Sequence, residues 1–163
     1  MLKHFAASTL LLTLSALPAA AQDSAAVEKV KAGQACPGCN LFQANLSYRD
    51  GQNLDLSSAR LRQSNLSLGT FDGVNLSNAD LAFANLFGAR FNRANFTQAN
   101  LQNATAVGTF FGASSFAGAD LSGANLSGAD LKIARGLTQA QLDTACGDAS
   151  TQLPAGKTIP RCA

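Results

Sequence analysis

The chain has 163 residues, 12 Lys and Arg against 10 Asp and Glu, four Cys, one His and no Trp. A near-neutral balance, with Arg residues scattered and no basic run, excludes the electrostatic footprint of a nucleic-acid binder. The one His is His4, within an expected leader, so the mature chain has no His base, no Ser-His-Asp triad and no His metal ligand.

Met1 to Ala21 has the pattern of an export signal. Lys3 and His4 form a charged start, Phe5 to Leu17 is apolar, and Ala19-Ala20-Ala21 satisfies the small-x-small cleavage rule. Cleavage between Ala21 and Gln22 is expected, placing the protein in the periplasm or outside the cell. The apolar run is shorter than the about 20 residues of a membrane span, so no integral membrane segment is expected after cleavage.

Residues 22–38 are expected to form an N-terminal cap. Asp23 to Lys31 (DSAAVEKVK) reads as a helix capped by Asp23 or Ser24, stopped at Gly33, with Ala26, Val27 and Val30 on one side. Cys36-Pro-Gly-Cys39 follows. Residue 40 is Asn, so the motif fails as a haem attachment, and no βαβ context supports a redox pair. A structural disulfide in an oxidising compartment is the expectation.

From Cys39 to Ile133 the sequence keeps a period of five. Of the nineteen positions 41, 46, 51 and so on to 131, seventeen are Leu or Phe, the exceptions being Gly51 and Ala106; chance would supply about four. Two residues earlier, sixteen of nineteen are Ala, Ser, Gly, Thr or Cys, and the position between is Asn or Asp thirteen times. Five fits neither a helix at 3.6 nor a continuous strand at 2. The two selective positions are two apart and so share a face, while the Ser, Asn and Gly between units suit a corner. Each unit reads as one short side and one turn of a coil, burying its Leu only by stacking on the next coil. Phe71, Phe91 and Phe111, and separately Phe96 and Phe116, are spaced by twenty, which favours four sides.

This run resembles the pentapeptide-repeat family, whose consensus is A(D/N)LXX; NADLAFANL and ANLSGADL are its cleanest stretches here. The resemblance implies an all-β solenoid over 39–135, a right-handed quadrilateral β-helix of just under five coils, with short N- and C-terminal helical caps. Some cytoplasmic members mimic duplex DNA through an acidic surface, which this composition does not match. Tyr48-Arg49-Asp50-Gly51 breaks the pattern and predicts a bulge or local loop, or an irregular end coil beside the cap. At Ala106 either Phe110 or Phe111 is expected to fill the missing volume.

Residues 136–163 are expected to close the other end. Leu137 to Cys146 reads as a helix with a Thr138–Gln141 capping box, and the tail with Pro154 and Pro160 as extended. Four Cys allow three pairings; Cys36–Cys39 with Cys146–Cys162 is expected.

No motif carries enzymatic chemistry, cofactor binding or a metal site. Asp55, Asp72, Asp80, Asp120 and Asp130 mostly occupy repeat positions that want Asn or Asp for turn hydrogen bonds. Tyr48, Leu68, Phe87 and Val107 interrupt otherwise polar outward positions on the second side of consecutive coils and, with Phe83 near the preceding corner, form a candidate contact patch on a flat side. Arg90 and Arg93 fall on the next side, where Asp72 and Asp130 can neutralise them in a solvated surface. The expected role is structural, or binding of an unknown protein partner or a second copy. A second reading is a repetitive cell-wall polymer on a polar side bearing Ser57, Ser77 and Thr97; a third is thiol–disulfide exchange by Cys36 and Cys39.

Overall fold

The structure is a computed structural model that describes residues 22–163; the expected leader, including Ala21 at the cleavage position, lies outside the described residues. Within them the repeat closes on a period of twenty. Parallel bridges join the Asn/Asp position of each unit to its equivalent twenty residues on, in four columns. Side 1 carries Asn40, Arg60, Asp80, Asn100 and Asp120; side 2 carries Asn45, Asn65, Asn85, Thr105 and Asn125. Side 3 carries Asp50, Thr70, Arg90, Phe110 and Asp130; side 4 carries Asp55, Asn75, Asn95, Ser115 and Arg135. Each bridge is a pair of hydrogen bonds: Arg60 donates its N–H to Cys39 O at 2.9 Å, and its carbonyl accepts from Leu41 N–H at 2.9 Å.

The corners share one backbone solution. All nineteen positions from Gly38 to Gly128 at steps of five have φ between +54° and +70°, and twelve of them are not glycine. The residue before each is not left-handed, and a hydrogen bond spans the corner, as from Ala44 N–H to Leu41 O at 3.0 Å. That combination is a type II turn. Ile133, next in the series, keeps a negative φ. A β-branched side chain is a severe outlier in the left-handed region, and the regular winding ends there.

The core is two kinds of inward column. Leu41, Leu61, Leu81, Leu101 and Leu121 line side 1, all at most 2% exposed. On side 3 the rings of Phe71, Phe91 and Phe111 stack at centroid distances of 5.3 and 5.8 Å, and on side 4 Phe96 stacks on Phe116 at 5.0 Å. The two stacks meet edge to face, Phe91 on Phe96 at 5.2 Å and Phe111 on Phe116 at 5.1 Å. Small residues two positions earlier let the sides approach, and the buried hydroxyls among them bond to backbone carbonyls: Thr109 to Leu86 O at 2.8 Å, Ser114 to Phe91 O.

Several expectations need correction. The ladder begins at Cys36, not Cys39: Cys36 N–H donates to Asp55 O and Gly38 N–H to Ser57 O, both at 2.8 Å. Cys36, 1% exposed, takes a Leu/Phe position, and Pro37-Gly38 forms the type II corner between the two cysteines. No bulge occurs at Tyr48–Gly51. Gly51 N–H pairs with Thr70 O at 2.8 Å, and the Phe71 ring occupies the place a Cβ on Gly51 would take, 2.6 Å away. Phe110 is 39% exposed and faces outward, which leaves Phe111 as the core ring beside Ala106.

Both ends carry a short helix. α1 (Ser24–Lys31) is capped by Asp23, whose carboxylate accepts from Ala25 and Ala26 N–H, and it buries Ala26, Val27 and Val30. α2 (Gln139–Asp143) is shorter than expected; its capping box is present and it buries Leu142. The helix stops because Cys146 is drawn into side 2, donating to Ala124 O and accepting from Leu126 N–H. Gln152 extends side 3 by pairing with Asp130, and Gly147 pairs with Arg161. The tail expected to be merely extended therefore adds a partial layer. No helix among the described residues is long and apolar enough to cross a membrane.

Candidate contact surface

All thirteen Asn and Asp residues at the repeat position accept a hydrogen bond from the backbone N–H two residues on, the first residue of the corner. Their chemistry is committed to turns. Where Arg90 replaces the repeat Asn, Asp72 of the preceding coil supplies the acceptor to Asn92 N–H at 3.0 Å and also holds Arg90 through Nε at 3.1 Å and Nη2 at 2.8 Å. The expected pairing of Arg90 with Asp72 is present. Asp130 instead caps the corner at Lys132 N–H, and no ion pair of Arg93 is formed among the described residues. Ser57 N–H pulls the Asp55 carboxyl below its ordinary range, and the Ser122 hydroxyl does the same for Asp120.

The most perturbed carboxyl lies in the tail. Asp148 accepts from Ser150 Oγ at 2.7 Å, Ser150 N–H at 2.9 Å, Gly128 N–H at 3.0 Å and Thr151 Oγ1 at 3.2 Å. The Ser150 hydroxyl is the leading cause that lowers it from 3.8 to about 2. A depressed carboxylate contributes stability that is complete above its unfolded value and is lost as pH falls through its folded one. The melting temperature should therefore fall on acidification from about pH 4 to pH 2, with a shallower slope in Asp148→Asn; parallel slopes would refute the assignment. Asp55 and Asp120 supply the residual slope.

Cys36 is bonded to Cys39, with Cα atoms 5.5 Å apart, and Cys146 to Cys162 at 4.8 Å. The buried Cys36 and half-buried Cys39 leave an attacking thiolate little access, so thiol exchange gains no geometric support. Among the described residues no cluster of His, Cys, Asp and Glu is placed to hold a metal ion.

The apolar candidates are at corners rather than on a flat side. Tyr48 and Leu68 occupy the second turn position between sides 2 and 3, and Phe87 and Val107 the first turn position of the same corner in the next two coils. Tyr48 is 75% exposed, Leu68 45% and Phe87 47%, while Val107 is half-buried. Leu68 leans over Gly88, where a Cβ would meet its Cδ2 at 2.8 Å. Phe83 lies on the other corner of side 2, 47% exposed, with the Arg62 guanidinium 4.8 Å from its ring centre. Sequence reasoning missed two exposed apolar residues, Phe110 on side 3 and Ile133 on the corner after it. The signal for Phe110 was present, since it stands at an outward Asn/Asp position.

The family profile for pentapeptide repeats matches the chain in eight copies, over residues 55–93 and 94–132. No curated protein matches significantly. Among solved structures, a pentapeptide repeat protein from Nostoc PCC 7120 is 26% identical over 84% of this chain and 88% of its own, with a TM-score of 0.47. One from the Arabidopsis thaliana thylakoid lumen is 32% identical over 61% of this chain and 70% of its own, with a TM-score of 0.45. HetL, from Nostoc sp. strain PCC 7120 and involved in heterocyst differentiation regulation, is 25% identical over 75% of this chain and 62% of its own, with a TM-score of 0.41. With eight profile matches lying inside a ladder whose every unit is five residues long, the chain belongs to the pentapeptide-repeat family.

Proposed function

We propose that the chain is an exported, disulfide-closed, non-enzymatic module, a right-handed β-helix of just under five coils that binds a protein through its apolar corners. One observation carries this reading. Of the twelve non-glycine residues held at positive φ among the described residues, nine are Gln, Asn, Ser, Arg or Ala; the other three are Tyr48, Leu68 and Phe83. Left-handed backbone costs a residue with a side chain about 1–2 kcal/mol, and bulky residues are rare there. These three are also exposed, so burial within the chain does little to offset that cost. Strained, exposed apolar residues gathered beside one side of a rigid scaffold are what a contact surface requires. Export to the periplasm or outside the cell is supported by the leader pattern and by two disulfides.

The test is affinity capture from the exporting compartment, comparing the native protein with the Leu68→Ser/Phe87→Ser double variant. A partner held by the native protein and lost by the variant is expected, with the melting temperature within a few degrees. Equal capture by both would remove this surface from the proposal. A repetitive polymer is the second reading, favoured by Ser57, Ser77 and Thr97, which recur once per coil at the corner between sides 4 and 1; failure to sediment with insoluble wall material would dismiss it.

A further inference from the structure

The carboxylates of the solenoid are unevenly placed. Between Cys36 and Arg135 they are Asp50, Asp55, Asp72, Asp80, Asp120 and Asp130. None lies on the five coils of side 2 or of either corner beside it, residues 42–48 and their equivalents at steps of twenty up to 122–128. Asp148 accepts from Gly128 N–H in the tail layer above, and Glu28 lies beside Gln43 and Asn45 below. The same region holds four of the six exposed large apolar residues among those described. Its one cation is Arg62, set over Phe83, and at its foot a shallow groove brings Arg49 and Lys31 beside Tyr48. Lys31 is already paired with Glu28 at 2.9 Å, whereas no ion pair of Arg62 or Arg49 is formed among the described residues.

We infer that side 2 and its two corners form one docking face for an acidic amphipathic helix of a protein partner, whose apolar stripe meets Leu68, Phe83 and Phe87 and whose carboxylates meet Arg62 and Arg49. This rests on the interaction-module reading above and names the chemistry of the partner. Three considerations select the occupant. The backbone of side 2 is paired from coil to coil, Asn65 N–H to Ala44 O at 2.8 Å and Asn85 N–H to Ser64 O at 2.9 Å. It therefore offers no strand edge along its length, and a partner must bind through side chains. A helix laid along the solenoid axis advances about 5.4 Å per turn against about 4.8 Å per coil, so one apolar residue per turn meets one coil. Charge excludes the rivals. In a symmetric pair of this chain the carboxylates that flank the face are already engaged, Asp148 by Gly128, Ser150 and Thr151 and Glu28 by Lys31, so neither is left over for Arg62 or Arg49. An anionic membrane is recognised by clusters of about 4–8 Lys and Arg, which this face lacks.

The probes are two synthetic 18-residue amphipathic helices with one apolar stripe, flanked in one by Glu and in the other by Lys, and phosphatidylglycerol vesicles. Each is titrated into the ¹⁵N-labelled, disulfide-bonded protein. The Glu-flanked peptide should bind about tenfold more tightly than the Lys-flanked one, shifting the amides of Asn65, Asn85 and Thr105. Arg62→Gln should weaken the preference and Arg62→Glu should abolish it, with the fold intact by circular dichroism. Equal or reversed preference in the native protein overturns the inference, as do vesicle binding by the same amides or self-association alone. Loss of captured partner in Leu68→Ser/Phe87→Ser without any charge preference would leave the interaction module standing and remove only the acidic helix.

Discussion

Phe91→Ala is expected to destabilise the protein by about 3–5 kcal/mol, measured as a fall in the urea midpoint at unchanged slope. Phe91 is fully buried and touches three other rings: Phe71 and Phe111 above and below in its own stack, and Phe96 edge-on. Removing it opens a void between coils whose backbones are tied by bonds such as Phe91 N–H to Phe110 O at 2.8 Å. Those ladders limit how far the layers can collapse, so little of the cavity cost is recovered. Phe91→Leu should cost less than half as much, because Leu131 occupies the same column two coils on. An Ala variant within about 1 kcal/mol of the native protein would mean that the ring stack contributes no more than generic burial.

Removing the second disulfide as Cys146→Ser/Cys162→Ser should cost about 3 kcal/mol in the chain-entropy model, given its separation of 16 residues. The effect should be local in hydrogen exchange. Leu126 and Leu131, whose N–H groups donate to Cys146 O at 2.7 Å and Gln152 O at 2.8 Å, should lose protection before Leu61 or Leu81. Uniform loss along the chain would show that the tail and the coils unfold together. The Cys36–Cys39 bridge closes only three residues and constrains the unfolded chain little. Its contribution is the filling of a Leu position by Cys36 at the foot of side 4, so Cys36→Ala should act as a cavity mutation.

The period of five and the four sides were legible because each Leu or Phe has no other way to leave water, and five Phe residues sorted themselves by twenty. The first unit was missed because Cys36 stands where Leu was sought, although Pro37-Gly38 is the residue pair a type II turn prefers. A bulge was expected at Gly51 because a missing side chain reads as a defect in one dimension. In three dimensions Phe71 from the next coil occupies the gap, a relation between residues twenty apart that local pattern cannot express. The outward apolar residues were legible by composition, but their places at corners were not, since outward positions were not divided into sides and corners. The left-handed backbone at Tyr48, Leu68 and Phe83 had no local signal, as those residue types argue against it. The carboxylate-free side was readable from the sequence only once residues were grouped by twenty.

The winding also fixes what changes of length do. An added segment of twenty repeat residues inserts one layer and leaves every later residue on its original side, so the Phe stacks and the acid-free face simply grow taller. An added segment of five turns everything after it by a quarter revolution. Phe91 would then stand above Leu76 rather than Phe71, and Phe87 would leave the corner it shares with Leu68. Position on the surface is thus a matter of residue number modulo twenty, and a single unit gained or lost re-addresses the whole face while leaving the repeat itself unbroken.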